Sequence, residues 1–232
     1  MIKNKRIKLF LDGPSLDQIR DLQDVDGYTF NPSLFKKLGA KDYIKFSKMI
    51  LKETKNLPVS IEVFADDEES CFNQAKTLNE LGKNVFVKIP ITFTNGKSTA
   101  KLIEKLVNEN IKLNITAIFT FEQIREIHDI VKDTGTILSI FSGRIYDIGK
   151  DARKIFKEIS QYVRSNSKCE TLWASCRMPY DIIDATNCEA HIITMGPDMV
   201  KKLAKFNKSS EEYSLETVKG FYDDAKSSGF KI

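Results

Sequence analysis

The sequence predicts an α/β fold in which a parallel sheet closes into a single eight-stranded barrel. Three observations carry that prediction. Eight short runs rich in β-branched and aromatic residues recur along the chain, with amphipathic helical segments between them. The chain has 232 residues, close to the ~250 usual for a closed barrel of eight strand–helix units. The turn after the first run reads "DGPSLD". It lacks the G-x-G-x-x-G spacing of an open doubly wound sheet, the structural alternative, and no G-x-x-x-x-G-K-S/T occurs anywhere.

The first run, Ile7–Asp12 "IKLFLD", ends on an acid. The helical segment after it, "SLDQIRDLQD", starts on Ser15, a capping residue. Gly27–Asn31 "GYTFN" and Val59–Phe64 "VSIEVF" read as the next two strands. "DEESCFNQAKTLNELG" starts at Asp67 and ends on Gly82, a helix stop. Val85–Pro90 "VFVKIP" is an apolar strand interrupted by one lysine. "STAKLIEKLVNEN" then places Leu102, Leu106 and Val107 on one helix face. Leu113–Phe119 "LNITAIF" is followed by a capped segment that runs from Thr120 to Gly135. Ile137–Phe141, Thr171–Cys176 and His191–Met195 complete the eight. No long linker, low-complexity tract or clean repeat divides the chain, so residues 1–232 are read as one barrel domain. Residues 206–232 form its tail, a polar loop and a terminal helix.

Apolar residues make up 41% and charged residues 29%, an ordinary balance for a globular chain. The net charge of +4 helps attract an anionic substrate but does not argue for nucleic acid. Lysines such as Lys36, Lys37, Lys41 and Lys45 fall on helix faces as solvated surface. No apolar run approaches the ~20 residues of a membrane span. The N-terminus "MIKNKRIKLFLD" is basic, but its apolar part is too short for a secretion signal. Cys71, Cys169, Cys176 and Cys188 show neither C-x-x-C spacing nor neighbouring histidine pairs. The expectation is a cytoplasmic protein without disulfides, metal or other cofactor.

Active sites of closed parallel barrels lie at the C-terminal ends of the strands. The polar residues read there are Asp12, Asn31, Glu62, Lys88, Asn114, Thr116, Ser139, Arg144, Ser175 and Arg177. A lysine amine is a nucleophile only when neutral. At the ordinary pKa of ~10.4 only about one in a few thousand is neutral at pH 7, and burial favours the neutral form. Lys88, alone in an apolar strand, is therefore a candidate for Schiff-base chemistry on a ketone or aldehyde. The alternative is an ion pair with Glu62 or Asp12. Glu62 is placed to relay protons or simply to pair with Lys88. Asp12 is placed to take a proton from a substrate hydroxyl or to cap the following helix. Asn31 and Asn114 would hold hydroxyls or satisfy loop backbone. Arg144 and Arg177 with Ser175 suit a phosphate by charge and forked hydrogen bonds, and each arginine alone equally suits a surface ion pair. His128, His191 and Trp173 read as structural.

These motifs resemble the small transaldolases, the group that includes fructose 6-phosphate aldolase. The resemblance runs from Ile7 to about Lys205. It rests on "FLD" at Asp12, "NPSL" at Asn31, "EV" at Glu62, "VKIP" at Lys88, "NITAIFT" at Asn114, "FSGR" at Arg144 and "ASCR" at Arg177, in family order. It implies a TIM barrel and transfer of a dihydroxyacetone unit from a ketose phosphate, such as fructose 6-phosphate or sedoheptulose 7-phosphate, to an aldose phosphate. It places the protein in carbohydrate metabolism, in the pentose phosphate pathway. By the resemblance Lys88 forms the Schiff base, Asp12 is the acid/base, and Glu62 moves protons through a water held by Thr116. Asn31, Asn114 and Ser139 orient the dihydroxyacetone part, and Arg144, Ser175 and Arg177 grip the phosphate. Family transaldolases have Glu and Phe at the positions of Glu62 and Phe141, whereas the aldolase branch tends to Gln and Tyr. A lyase releasing free dihydroxyacetone is the alternative. The tail of small members packs on a neighbouring subunit, which implies a homo-oligomer. Departures from the family pattern fall at Gly13–Pro14, Tyr28, Phe30, Ile140 and the segment after Pro90. They are expected near the mouth, where they would bear on substrate choice.

Overall fold

The computed structural model describes residues 7–22 and 24–232. The basic "MIKNKR" at the N-terminus and Gln23 in the first helical segment lie outside the described residues. Eight strands form a closed, all-parallel barrel in sequence order. They are β1 Lys8–Asp12, β2 Gly27–Thr29, β3 Val59–Glu62, β4 Val85–Pro90, β5 Leu113–Ile118, β6 Ile137–Ile140, β7 Glu170–Trp173 and β8 Ile192–Met195. All eight expected runs are strands, with ends shifted by up to a few residues. Asn31 and Phe141 lie just past their strands and begin helices.

The helices are α1 Leu16–Asp21, α2 Pro32–Lys37, α3 Tyr43–Glu53, α4 Glu68–Asn79, α5 Ala100–Asn108, α6 Phe121–Val131, α7 Ser142–Asp147, α8 Ala152–Asn166, α9 Asp181–Asn187, α10 Pro197–Lys202 and α11 Ser210–Ser228. Ser15 and Thr120 each accept a backbone N–H of the first turn, and Gln18 and Gln123 reach back to complete capping boxes. Asp67 caps α4 in the same way through Ser70. Ile124, Ile127 and Val131 of α6, and Phe156, Ile159 and Val163 of α8, turn one face to the sheet.

Strand alternation sorts side chains into two layers. Outward-facing residues such as Leu11, Ile61, Val87, Ile89 and Ile115 are buried against the helices in the main core. Inward-facing residues change character along each strand. Phe10, Phe86, Ile137, Leu172 and Ile192 fill the lower half of the barrel as a separate apolar cluster. Two residues on, the same strands carry Asp12, Lys88, Ser139, Ala174 and Thr194, which line the cavity above. An apolar floor beneath a polar mouth follows from this step of two. Gly27 serves the floor, since a Cβ there would stand 2.6 Å from the Phe10 ring.

The same alternation corrects one expectation. Tyr28 and Phe30 flank the inward Thr29 and therefore point outward, where both are buried in the main core. Phe30 packs edge-on against Phe35 at 5.5 Å. Ile140 is likewise buried among core residues. None of the three lines the mouth, and neither does any residue between Ile91 and Lys101. Gly13 does line it, at φ +62°, with its N–H donating to the Thr29 carbonyl.

Candidate active site

Register sets the centre of the site. Glu62 of β3 pairs with Lys88 of β4, and Lys88 with Asn114 of β5, so three polar side chains sit side by side at one level. Lys88 is 5% exposed. Its Nζ lies 3.1 Å from Glu62 Oε2. The Lys88–Glu62 ion pair expected as the alternative is thus present, at the floor of a cavity of about 640 Å³. Tyr43 donates its hydroxyl to the Glu62 carbonyl at 2.6 Å. Burial first, and then the Glu62 charge, push the Tyr43 phenol up from its ordinary value, so it stays a donor.

Asn114 is fully buried. Its Nδ2 donates to Ser60 Oγ at 2.9 Å, and its Oδ1 accepts from Ser139 Oγ at 2.7 Å. These two bonds leave one N–H and one lone pair of the amide unused. Thr116 Oγ1 is buried with no hydrogen-bond partner in the protein, so a hydroxyl one layer above Asn114 is left to hold a polar guest.

Asp12 forms the other wall. Thr29 donates to Asp12 Oδ1 at 2.7 Å and lies 2.6 Å from the Thr194 hydroxyl. Burial raises the Asp12 carboxyl above its ordinary value of 3.8, while the Lys88 charge and the Thr29 hydrogen bond pull the other way without cancelling it. Asp12 does not cap α1, a role Ser15 fills. Asn31 does cap α2, accepting from Leu34 N at 2.9 Å, and also lines the cavity.

The rim is built from the loop after β7 locked against helix α7. Ser175 has φ +64°, and a Cβ on Gly143 would stand 1.7 Å from the Ser175 carbonyl oxygen, so only glycine permits this approach. Buried Asp181 accepts from the N–H groups of Arg177, at 2.6 Å, and Met178, at 2.9 Å. Arg144 lines the rim with its guanidinium 5.1 Å from the centre of the Phe141 ring. Arg177 also lines the rim and is bonded through two nitrogens to Asp147 in an ion pair. Cys176 lines the same wall, and burial with the nearby Asp181 and Asp12 charges raises its thiol well above the ordinary value.

Asp12, Asn31, Lys88, Thr116, Ser139, Phe141, Arg144, Ser175 and Arg177 all line one cavity, and Glu62 and Asn114 adjoin Lys88 behind it. Sequence reasoning missed Thr29, Thr194, Ser60, Tyr43 and Asp181. Lys37, read as plain surface, stands on the wall as well. Among the described residues no group of three or more His, Cys, Asp or Glu side chains could hold a metal ion. His191 accepts the Thr171 N–H at 3.0 Å, and His128 packs at a tilt against Tyr162, ring centres 4.9 Å apart, and neither lines the cavity.

The profile of the Transaldolase/Fructose-6-phosphate aldolase family matches residues 9–232. The chain belongs to this family. Among its relatives, a protein named "Probable transaldolase" from Methanococcus maripaludis strain C6 is 36% identical over 94% of this chain and 98% of its own. Another of that name, from Thermoplasma volcanium, is 35% identical over 95% and 99%. Solved barrels share the fold alone. N-acetylneuraminate lyase from Mycoplasma synoviae superposes with a TM-score of 0.57 at 12% identity, covering 94% of this chain and 81% of that one. Thiamine phosphate pyrophosphorylase from Pyrococcus furiosus gives 0.55 at 9%, covering 82% and 85%. As in other closed barrels, the transaldolase-family cavity opens at the C-terminal strand ends.

Proposed function

We propose that the protein is a transaldolase that moves a dihydroxyacetone unit from a ketose phosphate, such as fructose 6-phosphate or sedoheptulose 7-phosphate, to an aldose phosphate through a Schiff base on Lys88. The observation that carries this reading is the buried Lys88 amine beside Glu62 at the cavity floor, with Arg144 and Arg177 at the rim. The Lys88 amine adds to the ketone and water leaves, giving an iminium. Asp12 takes the proton of the hydroxyl beside the bond that breaks, and the aldehyde departs. The three-carbon enamine stays on Lys88 until an acceptor aldehyde adds, Asp12 returns the proton, and water releases the new ketose. Glu62 moves the protons of imine formation through a water on Thr116, the hydroxyl left without a protein partner. Ser139, Asn31 and Asn114 orient the hydroxyls of the bound carbons. The chemistry suits pentose phosphate interconversion, and the free cysteines suit a reducing cytoplasm.

Transfer rather than release is favoured by Phe141. Its ring lies on the cavity wall 5.9 Å from Phe119 and has no hydroxyl to orient a water at the enamine. Fructose 6-phosphate alone should give little free dihydroxyacetone, and adding an aldose phosphate should start rapid exchange. Phe141→Tyr should raise ketone release, measured by a coupled dihydroxyacetone assay. Fast release by the unmodified protein without acceptor would reverse the choice in favour of the lyase.

Among the described residues Arg144 is the rim guanidinium that enters no ion pair. A charge-assisted hydrogen bond is worth roughly 1.5–3 kcal/mol. Arg144→Ala should therefore raise KM for phosphorylated ketoses about tenfold or more and leave unphosphorylated fructose nearly unchanged. Equal losses with both sugars would make the residue structural.

The tail supports a homo-oligomer. Leu215, Val218, Phe221 and Tyr222 of α11 fall at helical spacing and are all more than half exposed. An apolar stripe this open on a terminal helix fits the face of a second copy. Ending the chain after Lys205 should lower the mass seen by light scattering to that of a smaller assembly. An unchanged mass would remove the tail from the interface.

A further inference from the structure

The opposite end of the barrel carries a second cleft, of about 840 Å³, that shares no residue with the mouth. Lys48 and Lys52 of α3, Lys83 before β4 and Lys112 before β5 surround it, and among the described residues no Asp or Glu lines it. Some lysines elsewhere are paired, as in Lys8–Glu170, Lys105–Glu68 and Lys132–Asp129. Here Lys48, Lys52 and Lys83 enter none of the ion pairs found among the described residues. Lys112 Nζ donates to the Lys83 carbonyl at 2.7 Å and lies 5.8 Å from the centre of the Phe86 ring.

We propose that this cleft binds an organic oligophosphate, with a nucleoside diphosphate as the class that fits it. Like charges four residues apart on a helix repel, so Lys48 and Lys52 leave a field that a bound anion relieves. A nucleoside diphosphate carries about three charges where a single phosphate carries about two, so it comes nearer to matching the four ammonium groups. Leu51, Leu81 and Phe86 give the cleft an apolar wall for a planar base. Its volume lies within the ~300–1,000 Å³ of small-molecule sites. Catalysis in closed barrels belongs to the other face, so the ligand is bound here without being turned over.

The test is calorimetric titration of the full chain with ADP, inorganic pyrophosphate and inorganic phosphate. ADP should bind saturably, one per chain, more tightly than pyrophosphate, and phosphate should be weakest. The double variant Lys52→Glu/Lys83→Glu alters two exposed side chains and should weaken ADP at least tenfold while sugar-phosphate turnover persists. Phe86→Leu should weaken ADP and spare pyrophosphate. Arg144→Ala, at the mouth, should leave ADP affinity unchanged. Absence of saturable ADP binding would overturn the proposal. So would ADP binding that survives the double lysine variant but is lost with Arg144→Ala. Pyrophosphate binding as tight as ADP would overturn the nucleoside class.

Discussion

Lys88→Ala is expected to abolish turnover, by more than ~10³-fold, the scale on which enzymes lose rate when a covalent nucleophile is removed. Only an amine at that position can form the imine, and among the described residues lining the cavity the other lysine, Lys37, is an exposed residue of α2 rather than a buried one of the barrel floor. Borohydride added with fructose 6-phosphate should fix a reduced adduct on Lys88, located by mass spectrometry. The variant leaves the Glu62 carboxylate without its partner at 3.1 Å. A cost on the order of a few kcal/mol is expected from an unpaired, largely buried charge, so folding has to be checked by circular dichroism. Lys88→Arg separates charge from chemistry. It keeps a cation beside Glu62 and cannot form the imine, so it should be equally inactive. Turnover by either variant, or an adduct on another lysine, would remove Lys88 from the mechanism.

Much of this site is legible in the sequence because its logic is local. A polar residue two positions after an apolar inward one marks the mouth end of a strand, as in Phe10 and Asp12, or Phe86 and Lys88. Strand spacing likewise shows that Phe30 and Tyr28 must face away from Thr29. Other features depend on closure and cannot be read from one segment. Thr194 reaches Thr29 across 165 positions because β8 closes onto β1. Ser60 meets Asn114 only once β3, β4 and β5 are in register. The pairing of Arg177 with Asp147 joins the loop after β7 to helix α7 after β6. Helices α2, α7, α9 and α10 span only six or seven residues, too few for a 3.6-residue period to declare itself. The apolar spacing of α8 was there to find, at Ile155, Phe156, Ile159 and Val163.

Asp12→Asn should separate stability from activity in opposite directions. Burial is the largest influence on this carboxyl and lifts it above 3.8, with Lys88 and Thr29 opposing. A group whose folded pKa is raised binds more protons folded than unfolded. Its contribution to stability is therefore fully present at acid pH and falls as pH rises from the unfolded value through the raised one. At neutral pH the ionised Asp12 stands as a cost of the fold, which an uncharged amide of the same shape avoids. The amide oxygen of the variant can still accept from Thr29, so the packing is kept. Thermal melts at pH 7 should show Asp12→Asn at least as stable as the parent, with the gain shrinking toward acid pH. The same raised carboxyl is a better proton acceptor from a substrate hydroxyl than an ordinary one. Losing it should lower kcat by about 10²–10⁴-fold, the usual contribution of a positioned acid/base. Imine trapping on Lys88 should persist in the variant, because Asp12 is assigned to bond cleavage and not to imine formation. A variant that melts lower at pH 7 than at acid pH relative to the parent would refute the burial argument. One that keeps full turnover would assign Asp12 to structure alone.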